Sequence, residues 1–214
     1  MLRKSWQLRT EEPRFALIAR DLMRYSFIRQ ITPRDEPSRH VQGYYERIRN
    51  LPACANNAHF WLQFSLADIE QKAFLLAERH LDQSFAIAKT WKNYNMSQID
   101  NVRALFLLSR EIEEQHGDRE MRSFVDANSI ISRQMRDRNE SYYPYRVASR
   151  YGEFWRKIAI NWDDDRKGAF IAACQAIYRF SRSTDPDLAA EEDVIRCRQT
   201  IKDVLLEAKA LPSD

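Results

Sequence analysis

Residues 60–88, FWLQFSLADIEQKAFLLAERHLDQSFAIA, set large apolar side chains at steps of three and four on both sides of a short polar break. Trp61 and Phe64 form one row, and Phe74, Ala77, Leu81 and Phe85 form the next. That period is helical, so the stretch predicts two amphipathic helices folded back on each other with these six residues as their core. Glycine usage points the same way. Gly43, Gly117, Gly152 and Gly168 are the only glycines in 214 residues, too few to supply a series of hairpin turns or a phosphate-cradling loop.

Apolar spacing with start and stop signals carries the helical reading along the chain. A first helix is expected from about Pro13 to Ile31, with Phe15, Ile18, Ala19, Leu22 and Tyr25 as its stripe, and a second from about Ser38 to Leu51. LPACANNA then reads as a loop, and the pair in 60–88 follows. SQIDNVRALFLLSREIEEQ and REMRSFVDANSIISRQMR, joined at Gly117 and Asp118, make a second antiparallel pair. Helices at about 144–160, 164–181 and from Asp185 onward bring the expected number to about nine. The fold class is thus all-α, a single helical-repeat domain over 1–214. It divides into N-terminal helices (1–55), two repeat-like pairs (56–138) and C-terminal helices (139–214).

Trp61, Phe64, Ser65 and Ala77 fit the tetratricopeptide spacing, with Phe74 and Leu81 at its other large-residue positions. Asp68 stands where a Tyr is usual, Lys72 and Ala73 replace the Gly and Asp of the turn, and Ser84 replaces a small Ala. The second pair has Arg122 where the Ala would sit. The expected architecture is therefore a short, degenerate tetratricopeptide-like solenoid of antiparallel helix pairs. In such units the first helix lines the inner surface with the face that here carries His59, Leu62, Leu66 and Ile69. Left open to solvent, an apolar face of this kind marks an interaction site; covered by another helix, it is core.

Residues for chemistry are sparse. His40, His59, His80 and His116 lie on separate segments without a second ligand at metal spacing, and Asp163, Asp164 and Asp165 stand where a helix cap belongs. No metal or other cofactor is expected. Cys54, Cys174 and Cys197 are widely spaced and read as buried free thiols. Arg110 and His116 have the arginine-to-histidine spacing of helical HEPN ribonucleases, as do Arg34 and His40 across Pro37. With 34 − 8 lysines = 26 arginines in the chain, that spacing arises by chance. Phosphate loops, dinucleotide fingerprints and nucleophile elbows are absent, so no catalytic residue is assigned and a non-enzyme is expected.

The net charge of +3 argues against nucleic acid as the main partner, although the first 50 residues carry 11 − 6 = +5. No run reaches the roughly 20 apolar residues of a membrane span, and MLRKSWQLRTEEP has no apolar signal core. A cytoplasmic protein without membrane contact is expected. The segment YYPYRVASRYGEFW interleaves Tyr142, Tyr143, Tyr145, Tyr151 and Trp155 with Arg146 and Arg150, a composition that suits a protein contact, single-stranded nucleic acid or helix packing.

YYERIRNLP, HFWLQFSLA, NMSQIDNVRALFLL and YYPYRVASRYGEF, in this order, resemble the C-terminal helical region of large bacterial STAND-type NTPases and of sirtuin-domain proteins linked to antiphage defence. The resemblance spans about residues 15 to 180. It implies a sensor or scaffold that contacts a phage protein or other domains and subunits of a defence complex. The family's NTPase and effector residues have no counterpart in this sequence. Contacts are expected from Leu62, Leu66 and Ile69 together with Tyr142, Tyr145 and Arg146. Two rival readings remain: an RNA-binding or HEPN-like ribonuclease helical domain, and a structural domain that forms homo-oligomers through its last helix.

Overall fold

A computed structural model describes residues 45–46, 49–50, 52–92, 94–137, 143–184, 189 and 192–212. Among these the chain is helical, with no strand. The helix expected at 13–31, and most of that at 38–51, lie outside the described residues. The described chain falls into two compact units, one up to Val102 and one from Arg103 onward.

In the first unit, part of the expected loop LPACANNA is a single helical turn, α1 (Pro52–Ala55). Proline suits that first position, because its fixed φ is already helical and its missing N–H would have gone unpaired. Next, α2 (Ala58–Glu70) opens on Asn57, whose side chain accepts from the Phe60 N–H at 3.1 Å. It ends where Lys72 takes φ +59, the left-handed conformation in which the repeat pattern's glycine would cost least.

Then α3 (Phe74–Ala88) runs back along α2. Ser84 Oγ donates to the Ala58 carbonyl at 2.7 Å, while His80 meets Asp68 nearer the turn, so the two helices are antiparallel. Phe64, Phe74, Ala77 and Leu81 are buried between them, and Trp61 and Phe85 are half-buried. Tyr45 stacks on Phe64 with ring centroids 5.1 Å apart, and Trp61 Nε1 donates to the Ala55 carbonyl at 2.9 Å. Two departures from the tetratricopeptide pattern, Asp68 and Ser84, are thus the residues that bond one helix to the other.

α4 (Met96–Glu114) begins after Asn95, which accepts from the Ser97 N–H, and carries the boundary between the units. In the second unit α5 (Asp118–Arg136) follows a turn in which Gln115 and Gly117 both have positive φ. The helix expected over 144–160 is two, α6 (Tyr143–Ala148) and α7 (Tyr151–Lys157), followed by a 3₁₀ turn at Ala159–Asn161. Ser149 Oγ donates to the Arg146 carbonyl at the break, competing with the helical ladder. Asp163 caps α8 (Asp164–Arg182), accepting from the Arg166 N–H at 2.9 Å. The last helix, α9 (Glu192–Glu207), buries Val194, Cys197, Ile201, Val204 and Leu205, and its expected opening at Asp185 and Pro186 lies outside the described residues.

Phe170 is the centre of the second unit's core. Its ring lies 5.0 Å from that of Phe124 and 5.4 Å from that of Tyr151, with Phe154, Trp155 and Trp162 also around it. The aromatic polar atoms are led to partners: Tyr151 donates to Asn128, Trp155 to Glu207 and Trp162 to Glu120. At Gly152 an added Cβ would stand 2.6 Å from Thr200 Cγ2, so glycine is what lets α7 and α9 approach. Among the described residues no helix is long and apolar enough to cross a membrane.

Candidate functional site

Burial changes the expected contact surface. Leu62, Leu66 and Ile69 are all buried, so the apolar row of α2 is not an open strip. Tyr145 is buried too: its ring stacks on Phe180 at 6.0 Å and its hydroxyl bonds Thr184 Oγ1. Burial raises the Tyr145 hydroxyl above its ordinary value, with the Thr184 bond acting in the opposite sense. Arg146 is half-buried, and Tyr142 lies outside the described residues. Leu62, Leu66 and Ile69 belong to the first unit and Tyr145 and Arg146 to the second.

Among the described residues, carboxylates with no exposed surface stand in two places. In the first unit Asp68, with no exposed surface, meets His80 Nδ1 at 2.6 Å. The imidazole is packed against the Phe64 ring, with centroids 3.9 Å apart, and lies 5.3 Å from that of Trp61. Such a pair closes α2 onto α3.

In the second unit the equivalent centre is Glu111, also without exposed surface. Its Oε1 accepts from Ser123 Oγ at 2.9 Å and from Arg110 at 3.2 and 3.3 Å, and its Oε2 lies 3.2 Å from His116 Nδ1. The other His116 nitrogen is 3.2 Å from Glu114, and the Arg110 guanidinium sits 4.9 Å over the Phe106 ring. The residues of the arginine-to-histidine spacing are therefore brought together, but around a carboxylate. With Glu111, Glu114 and Arg110 charged, the group sums to −1, or to 0 if His116 is protonated. That is a poor field for a phosphodiester, which would have to displace both cations from Glu111.

Burial alone would raise the Glu111 carboxyl. Hydrogen bonds from Ser123 and His116 and the Arg110 charge outweigh it and hold the group below its ordinary 4.5. A folded value below the unfolded one contributes stability above about pH 4.5 that is lost as pH falls through the folded value. Glu111→Gln should cost on the order of 1–3 kcal/mol at neutral pH. Urea midpoints should show the gap from wild type closing under acid; an equal gap at neutral and acid pH would contradict this role.

Asp68 with His80 and Glu111 with Ser123 are each twelve residues apart across a short turn. Their sequence signal is a polar residue interrupting an apolar row, answered by a donor twelve residues on. Neither pair was singled out from the sequence. Cys54, Cys174 and Cys197 are buried and form no disulfide; burial pushes the Cys197 thiol up to about 12 and the Cys174 thiol higher, so both stay protonated and unreactive at neutral pH. No family model, curated protein or solved structure matches this chain.

Proposed function

We propose that the chain is a non-enzymatic, tetratricopeptide-like protein-interaction module of the cytoplasm. The observation that carries this reading is the use made of the ionisable groups: Asp68 with His80 and Glu111 with Ser123 tie one helix to the next, Arg110 and His116 close on Glu111, and both carboxylates have no exposed surface. Among the described residues, what remains for function is the outer faces of the helices. The four stretches that resemble STAND-type and sirtuin-domain defence proteins extend the proposal to a sensor or scaffold of an antiviral NTPase. A partner would act by stabilising one arrangement of the helices, and the shifted population would be passed to attached domains or subunits.

Capture from bacterial lysate with the full chain as bait, before and after phage infection, tests the proposal. One phage protein recovered only after infection supports a sensor, and a constant host partner supports a scaffold. Recovery of RNA alone would defeat the reading. Recovery of the chain alone would favour self-association, for which Ile195 and Leu206 on the outer side of α9, 54% and 51% exposed, provide apolar surface.

A further inference from the structure

The outer side of α5 carries a net positive charge. From Arg119 onward its exposed charges are Arg119, Arg122, Arg133 and Arg136 against Asp126, a sum of 4 − 1 = +3. The other long helices do not share this imbalance. Exposed charges sum to 1 − 2 = −1 on α3 (Arg79 against Glu78 and Asp82) and to 3 − 2 = +1 on α8 (Arg166, Arg179 and Arg182 against Asp164 and Asp165). On α9 they cancel, with Arg196 and Lys202 against Glu192 and Glu207.

The arrangement is as particular as the charge. At 100° per residue, Arg122, Val125, Ser129 and Arg136 fall within about 60° of one another, at steps of three, four and seven. Arg119 flanks one end of that row, with the exposed Asp126, one turn from Arg122, between them, so the net positive charge of the face is carried at its two ends. Arg119 and the four residues of the row are exposed, and Val125, at 48%, is an apolar side chain between the two outer arginines. Arg133 has a partner within the chain and is left out of the row. Steps of three, four and seven are those by which one helix meets another along a seam. The two outer arginines are then about 21 Å apart along the axis, four turns of a partner helix.

We propose that this row of α5 docks an acidic amphipathic helix of a partner protein, its carboxylates facing Arg122 and Arg136 and an apolar side chain covering Val125. The proposal rests on the protein-interaction reading and gives that reading a surface. A protein helix is favoured over nucleic acid by Val125, which a phosphate backbone would cover without gain, and by a row that holds no aromatic ring on which a base could stack. Guanidinium and carboxylate groups can pair in bidentate geometry, which fixes register as well as attraction.

The test uses the full chain and a fluorescent helical peptide of about 21 residues, with Glu at both ends of one face and Leu between them. Polarisation should show binding that weakens with salt and falls at least about tenfold in Arg122→Glu with Arg136→Glu. A Lys-for-Glu peptide should bind that double variant and not the wild type. Val125→Asp should weaken the original peptide without changing the helical circular dichroism. No binding, equal binding by the double variant, or tighter binding of an RNA of about 20 nucleotides that ignores Val125→Asp would overturn the proposal. A lysate partner retained by the double variant would remove this surface while leaving the interaction module standing.

Discussion

Phe170→Ala should lower the unfolding free energy by about 3–5 kcal/mol, toward the upper end of that range. The side chain has no exposed surface, and its ring contacts join residues of α5, α7 and α8 with Trp162 beyond the 3₁₀ turn. Truncation removes the transfer contribution and leaves a cavity whose walls are themselves large rings. Such walls collapse poorly, because Trp155 and Tyr151 are held by hydrogen bonds at their rims, to Glu207 and Asn128. Val125→Ala, by contrast, should change stability by no more than about 0.5 kcal/mol, since that side chain is about half in water. Urea denaturation of the two variants beside wild type reads both effects. A loss under about 1 kcal/mol for Phe170→Ala would mean that this ring is not the centre of the core.

His80→Ala should cost about 3–5 kcal/mol for a different reason. It removes a ring packed on Phe64 and also takes the imidazole away from a fully buried carboxylate. The two contributions separate by substitution. His80→Phe keeps the stacking and loses the bond to Asp68, so it should stay close to His80→Ala if the carboxylate dominates. Asp68→Asn keeps a hydrogen-bonding partner for His80 and removes the charge, and it should be the mildest of the three. Thermal melts of the set check the order. If His80→Phe melts with wild type, the bond to Asp68 contributes nothing and the site is a simple aromatic cluster.

These two effects also mark what the sequence could and could not convey. Helix periodicity located the described helical segments from α2 onward, α6 and α7 as one, because burial of one face repeats at 3.6 residues whatever the partner is. The split between α6 and α7 escaped it, since both halves share the aromatic stripe and the break lies in a local Ser149 bond. Exposure escaped it too. Leu62, Leu66 and Ile69 have the same spacing whether they face solvent or a neighbour, and only the folded chain shows that they are covered. The opposite happened at Asp68 and Ser84. Both stood out as misfits to a repeat pattern, and both turned out to be inter-helix bonds. Arg110 and His116 had a spacing too common to weigh, and their significance lies in Glu111 between them. Net charge hid the α5 row, because acids elsewhere in the chain offset its arginines.

If the Arg110, Glu111 and His116 cluster is a structural tie in a chain that works by binding, it should leave RNA intact. RNA cleavage and urea unfolding measured on the same preparations of wild type, Arg110→Ala and His116→Ala test it most directly. The account predicts no cleavage above background by any of the three, with both variants less stable than wild type. Cleavage by wild type that is lost in both variants, while their unfolding midpoints stay at the wild-type value, would contradict it and make the cluster a ribonuclease centre.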